Sequence, residues 1–132
     1  KEMAAGYNRD IGVFSNVAIT CRPTMKEAEE YFQYYAVENA DWDAAENMIV
    51  GRGIVKPGMT EEMHDAARTR AAAGNGAMPI VGDPDYVTAM MKRLSGCGIK
   101  ALAIGLTNYL DHFPYFRDEV LPRLEREGLR AG

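Results

Sequence analysis

Two short runs of the sequence are apolar on both faces, and they constrain the fold more than any other feature. The first lies within DIGVFSNVAITC at residues 10–21, and the second is IKALAIGL at residues 99–106. A strand that is apolar on both faces must be covered on both sides, which is typical of central strands in a parallel sheet. We therefore predict a strand at each place and a shorter strand at residues 78–81.

Helical signals separate these strands. Thr24 and Glu27 have the spacing of a capping box, in which the Thr24 hydroxyl accepts from the Glu27 amide and the Glu27 carboxylate reaches back to the Thr24 amide. The residues that follow are apolar at intervals of three and four, which predicts a one-sided helix. We expect its whole apolar stripe to be core: Ala28, Tyr31, Phe32, Tyr35 and Ala36.

Further helices are predicted along the rest of the chain. A short one spans residues 41–48, and Thr60 and Asp83 are N-cap candidates for two others. Pro114 is expected to open the last helix, and Pro122 predicts a kink or a break within it. Strands that alternate with helices predict parallel βαβ units with right-handed crossovers.

The length does not suit a complete fold of this kind. Open α/β sheets usually have about four or more strands, and a (β/α)8 barrel takes roughly 250 residues, whereas the chain has 132 residues. We therefore predict an α/β fold that is a partial (β/α)8 TIM barrel, made of the last strands and helices. Residues 51–78 are expected to form a partly helical insertion, which is either a lid-like segment or a surface excursion.

The composition excludes several classes of function. A net charge of −4 gives no basic surface for nucleic acid, and no apolar run approaches the about 18 residues of a membrane span. Cys21 and Cys97 lie in no CxxC or Cys/His cluster, so we expect two free, buried thiols in a reducing cytoplasm. No apolar leader precedes the first element, which favours the same location. Neither metal-ligand spacing nor a nucleophile motif occurs, and His64 and His112 are expected at the surface, so no metal and no catalytic residue is assigned.

Three motifs in the second half of the chain occur in a specific order and spacing. They are VGDPDYV at residues 81–87, the Gly98-Ile99 step before the last strand, and VLPRL at residues 120–124. Together they resemble the C-terminal end of the bacterial luciferase-like flavin-dependent monooxygenases. The upstream segments CRPTMKEAEEYFQYY and ENADWDAAENM are also similar to this family, whereas residues 51–78 match least.

The resemblance implies that residues 1–132 are the C-terminal part of a luciferase-like barrel domain. It also implies FMN as the cofactor and the insertion of oxygen from O2 into a small organic substrate, with a flavin reductase as a candidate partner. Family members place most FMN contacts in earlier strands. No FMN-binding residue is therefore carried over to this sequence, and the chain alone is expected to be inactive.

Active sites of such barrels lie at the carboxyl ends of the strands. Arg22 follows the first predicted strand, and Asn108 and Tyr109 follow the last one. We therefore place these three residues in the wall of a substrate or flavin pocket. Two other interpretations stay open: Asn108 and Tyr109 form an ordinary strand-end turn with Tyr109 on Phe113, and Arg22 pairs with Glu27.

A second class of function also fits the sequence, namely an oligomeric α/β chain with a binding or structural role and no catalysis. A strand at an open sheet edge pairs readily with another chain, so we predict a homo-oligomer. Flavin binding by the purified chain would separate this class from the first.

Overall fold

A parallel sheet of three strands forms the centre of the computed structural model, which describes residues 2–130. The strands are β1 (Val13–Cys21), β2 (Met78–Gly82) and β3 (Ile99–Gly105), in the order β2-β1-β3. β1 pairs with β2 through residues 17–21 and with β3 through residues 13–18. All three predicted strands are confirmed, and the longest of them is the central one.

Helices separate and follow the strands, as the alternating pattern predicts, and a short helix that the sequence did not predict precedes them. A π-helical turn, Tyr34–Glu38, continues the second helix. None of the helices within residues 2–130 is long and apolar enough to cross a membrane. The helices are α1 (Glu2–Gly6), α2 (Met25–Gln33), α3 (Trp42–Gly51), α4 (Glu61–Gly74), α5 (Pro84–Gly96), α6 (Tyr109–Glu119) and α7 (Leu121–Arg126).

The predicted N-caps form, with one difference in the capping box. Thr60 and Asp83 cap α4 and α5 through their side chains. The Thr24 side chain accepts from the Glu27 amide at 3.2 Å, as predicted. The Glu27 carboxylate, however, does not accept a hydrogen bond from the Thr24 amide. It accepts one from the Thr24 hydroxyl at 2.7 Å instead.

The last helix begins earlier than the sequence predicts. Asn108 is its N-cap and accepts from the amides of Leu110 and Asp111, so that Pro114 lies inside α6 instead of opening it. The side chain of Asn108 starts the helix upstream because it satisfies amides that have no partner within the helix. The predicted break is confirmed, since α6 ends at Glu119 and α7 begins just before Pro122.

The main hydrophobic core lies against one face of the sheet, which α5, α6 and α7 cover. Alternate residues of β1 point into it because side chains of a strand alternate between its faces. Ile49 belongs instead to a smaller cluster between α3 and α4. The buried members of the main core are Val17, Ile19, Cys21, Ile80, Val87, Met91, Leu106, Phe116, Val120 and Leu124.

Three residues expected in the interior are exposed. β3 was predicted as a central strand, but it lies at the edge of the described sheet, and Ala101 and Ala103 on it are exposed. The apolar pattern alone predicts burial, whereas exposure depends on which strand pairs beyond β3. Cys21 and Cys97 are both free, as expected, but only Cys21 is buried. Cys97 follows the last turn of α5, outside the face that packs on the sheet.

The opposite face of β1 carries small residues that admit the end of α4. A Cβ added at Gly74 would lie 2.5 Å from the Cβ of Ala18, closer than two carbons can approach without displacement. Residues 61–74 of the predicted insertion thus form a helix that contacts the sheet and packs on α3. The lid-like role of residues 51–78 stays a prediction.

We predict that Gly74→Ala destabilises the protein by about 1–3 kcal/mol, because the added Cβ overlaps with Ala18. Gly96→Ala is the matched control, since Gly96 is also the last residue of a helix and nothing lies within 4 Å of an added Cβ there. The control should leave the free energy of unfolding unchanged or raise it by about 0.4–1 kcal/mol. Chemical denaturation measures both changes, and equal values for the two variants would contradict the close approach.

Candidate functional site at the carboxyl edge of the sheet

Side chains from three elements meet where β1 ends. Arg22 directly follows β1, Tyr31 lies on α2 and His112 lies on α6. We call these three residues the carboxyl-edge cluster. Arg22 was predicted at this edge, whereas Tyr31 was expected in the core and His112 at the surface.

The Arg22 guanidinium is held from three sides. Its carbon lies 4.0 Å from the centre of the Tyr31 ring, which is a cation–π contact. One of its amino groups donates to the Cys21 carbonyl at 3.0 Å, and the other contacts His112 Nε2 at 2.9 Å. Since a guanidinium has donors only, the His112 nitrogen must accept. The contact therefore requires His112 to be neutral.

Burial and charge both keep the His112 ring neutral. Burial is the main cause that lowers the pKa of His112, and the Arg22 charge lowers it further, while Asp111 raises it. The ring also meets Tyr31 edge-on, with 5.2 Å between ring centres and 89° between ring planes. A neutral imidazole can accept at one nitrogen only, so the bond from Arg22 at 2.9 Å prevails over the Asn108 amide, which lies 3.4 Å from Nδ1.

The aromatic stripe of α2 is only half-buried. Ala28 and Ala36 are buried as predicted, whereas the rings of Tyr31 and Tyr35 line the carboxyl edge instead of filling the core. The hydroxyls of Tyr35 and the buried Thr20 lie 2.8 Å apart. The presence of tyrosines in an apolar stripe is the one sequence signal that could have indicated their place at the edge, because a buried tyrosine hydroxyl needs a polar partner.

The predicted pairing of Arg22 with Glu27 does not occur. Glu27 is engaged with Thr24 in the capping box, and no carboxylate among residues 2–130 is within ion-pair distance of Arg22. The other two predicted site residues make local contacts. The Asn108 side chain donates to the Asp111 carboxylate at 2.5 Å in addition to capping α6. The hydroxyl of Tyr109 donates to the Ile104 carbonyl at 2.8 Å.

A shallow pocket lies beside the carboxyl-edge cluster, on the face of the sheet that α4 touches. Its volume is about 280 Å³, and it is lined by Ala18, Tyr35, Gly74, Gly105 and Thr107 among others. Pockets that enclose a cofactor or a drug-sized ligand measure about 300–1,000 Å³. The pocket is smaller than this range, and its small lining side chains leave room beside the sheet.

Metal binding and cysteine chemistry find no support at this edge. No three His, Cys, Asp or Glu side chains within the described part of the chain are grouped as a metal would require. Cys21 ends β1, but burial, followed by the charge of Asp83, raises the pKa of its thiol to about 12. Because the thiolate is the reactive form, Cys21 is not a nucleophile at neutral pH.

Several solved structures share the fold. DmoA from Hyphomicrobium sulfonivorans matches 99% of this chain with a TM-score of 0.77 at 18% identity, and the match covers 34% of DmoA. The riboflavin lyase RcaE, crystallised with modified FMN and the substrate riboflavin, matches 98% with a TM-score of 0.73 at 18% identity, over 35% of its own length. The long-chain alkane monooxygenase LadA matches 98% with a TM-score of 0.68 at 20% identity, over 33% of its length. No protein-family model and no curated protein sequence matches the chain.

These likenesses establish the fold as part of a TIM barrel, which confirms the predicted fold class. They also confirm the resemblance to luciferase-like flavin monooxygenases, of which the chain resembles a portion. The chain spans about a third of the length of the solved structures it matches. At these identities the likeness shows the fold alone, so the roles of Arg22, Asn108 and Tyr109 in a pocket wall stay predictions.

We predict that only one thiol of the folded chain reacts with iodoacetamide near pH 8. Cys97 is exposed, whereas Cys21 is buried and its pKa is raised to about 12. Mass spectrometry of the native protein should show one label, at Cys97, and a second label should appear only in denaturant. Rapid native labelling of Cys21 would contradict the assignment of a buried, inert thiol.

We predict that the pKa of His112 lies below its ordinary value of 6.5 and that Arg22→Gln raises it. Because folding favours the neutral ring, His112 contributes stability above the unfolded pKa, and this contribution is lost as the pH falls through the lowered folded pKa. NMR titration of the ring protons measures the shift, with His64→Gln for assignment. Arg93→Gln, at an exposed arginine of α5, should leave the His112 pKa unchanged, and equal effects of the two arginine variants would contradict the prediction.

Proposed function

We propose that the chain forms part of the barrel of an FMN-dependent monooxygenase, which inserts oxygen from O2 into a small organic substrate. The observation that carries the proposal is the match of 98% of the chain to both RcaE and LadA, the one crystallised with modified FMN and the other a monooxygenase by name. The polar cluster at the carboxyl edge supports it, because barrel active sites lie at that end of the strands.

We also propose that catalysis requires the rest of the barrel. The sheet face around Ala101 and Ala103 is exposed, and Phe14 on β1 is 72% exposed. Apolar strands open to solvent on one face and at the edge are what a barrel leaves when other strands are absent. The pocket of about 280 Å³ is likewise one wall of a larger site.

The chain's own residues would have limited tasks toward FMN. The cofactor, when bound in reduced form, supplies the reaction with O2. Gly105 lines the pocket without a side chain that would block a planar ring, and Arg22 presents a positive charge at the end of β1. Together with further strands these groups would exclude water and orient the bound molecules. We further propose that a flavin reductase is a partner and that the protein is located in the cytoplasm.

A second candidate is a self-associating chain without catalysis. Both outer strands, β2 and β3, end the described sheet, so each offers unpaired backbone groups at an edge. Pairing of β3 with β3 of a second copy would cover this edge. Such an assembly would need no flavin.

Flavin binding tests the first proposal against the second. The fluorescence of FMN should be quenched on titration with the purified chain, and Gly105→Val should weaken the quenching because its side chain enters the pocket. Ala101→Val is the matched control, since it lies on the same face of β3 but outside the pocket. A discrete oligomer in light scattering that leaves FMN fluorescence unchanged would overturn the first proposal in favour of the second.

A further inference from the structure

Among residues 2–130, one partly buried cation lacks a carboxylate partner. Arg68 and Arg123 are also partly buried, and each has carboxylates within 4.0 Å. Arg22 has none among residues 2–130. Charged side chains are seldom withdrawn from water without a partner, because removing a charge from water is costly. A partly buried guanidinium without a carboxylate therefore calls for a specific explanation.

The acidic residues of this edge do not supply the missing counter-charge. Each one is engaged at the N-terminus of a helix, where it satisfies a backbone or side-chain donor. Moving one of them toward Arg22 would release that donor. The engaged pairs are Glu27 with the Thr24 hydroxyl, Asp83 with the Tyr86 amide, and Asp111 with the Asn108 side chain.

Arg22 keeps free donors although it is held in place. A guanidinium has five N–H groups, and hydrogen bonds to the Cys21 carbonyl and to His112 account for two of them. The remaining three have no hydrogen-bond partner within the described part of the chain. A planar guanidinium with adjacent free donors matches two oxygens of a phosphate or sulfonate group at once.

We propose that Arg22 binds an oxyanion group of the phosphate or sulfonate type at the carboxyl edge of the sheet. The bound group supplies the counter-charge that no carboxylate among residues 2–130 supplies. Its oxygens accept from the free N–H groups of the guanidinium in a charge-assisted, two-point contact.

His112 and Tyr31 act as positioning residues in this site. The neutral ring of His112 holds one amino group of Arg22 by accepting a hydrogen bond from it at 2.9 Å. Because the ring is neutral, it adds no positive charge that would compete for the ligand. Tyr31 holds the plane of the guanidinium through the ring contact at 4.0 Å. Neither residue neutralises Arg22, so its positive charge remains directed at the ligand. Preorganisation of this kind reduces the entropy lost on binding.

The inference concerns the same edge as the proposed function but does not depend on flavin chemistry. Two sources could provide the oxyanion. One is the phosphate of FMN, and the other is an acidic group on the organic substrate. Both present the same oxygens to Arg22, so the experiment separates them after testing the shared site.

The first experiment uses inorganic phosphate and methanesulfonate with the wild-type chain. Titration with either anion should shift the NMR signals of the Arg22 guanidinium and the His112 ring in a saturable manner. Arg22→Gln should weaken the binding by about tenfold, as expected for loss of a charge-assisted contact, and Arg22→Lys should retain part of it. Arg93→Gln, at an exposed arginine, should bind as the wild type does.

The second experiment compares FMN with riboflavin, which lacks the phosphate. If Arg22 binds the cofactor, Arg22→Gln weakens the quenching of FMN but not that of riboflavin. If Arg22 binds the substrate, both flavins respond equally to the variant while methanesulfonate binding is still weakened about tenfold. Either result supports the oxyanion site and identifies its source.

Two results would overturn the inference. One is that neither anion shifts the Arg22 and His112 signals of the wild-type chain, a test that does not depend on the folding of any variant. The other is that Arg93→Gln weakens anion binding as much as Arg22→Gln does. If phosphate binds at Arg22 while no flavin binds to the chain, the proposed function fails and the oxyanion site stands.

Discussion

The pairing of β1 with a strand on each side is the constraint on which the rest of this structure depends. Its last five residues, 17–21, are all buried, and they support the main core on one face and the contact with α4 on the other. The end of β1 is therefore a rigid position. Arg22 follows directly, so the site's cation is placed by the best-packed element of the chain rather than by a mobile loop.

The two faces of the sheet pack differently because their side chains differ in size. Large aliphatic residues such as Val17 and Ile19 fill the face covered by the C-terminal helices. On the other face the small Ala18 packs against the end of α4, and a pocket lies next to it beside Gly105. This asymmetry agrees with a barrel wall, in which helices cover the outer face and the inner face meets further strands and bound molecules.

Local interactions were the part of the fold that sequence patterns predicted well. The caps at Thr24, Thr60 and Asp83 depend on residues close together in the chain, and the three strands could be recognised from local apolar runs although their pairing is not local. The start of α6 was misplaced because Pro114 is a strong but not exclusive helix-start signal, and Asn108 satisfies the first amides before it. The exposure of β3 could not be predicted, since an apolar strand pattern does not say which strands lie beside it.

The sequence by itself determined an α/β chain of parallel βαβ units, the N-caps at Thr24, Thr60 and Asp83, its likeness to part of a flavin monooxygenase barrel, and the presence of Arg22 after the first strand. It did not predict α1, and it placed the start of the last helix at Pro114 instead of Tyr109. Only the tertiary structure decided what surrounds Arg22. Arg22 and His112 are 90 positions apart, and their contact at 2.9 Å exists because the parallel pairing of β1 with β3 brings the start of α6 to the end of β1. The charge state of His112 and the missing carboxylate beside Arg22 follow from that packing, because electrostatic environment depends on distance in space and not on distance along the chain.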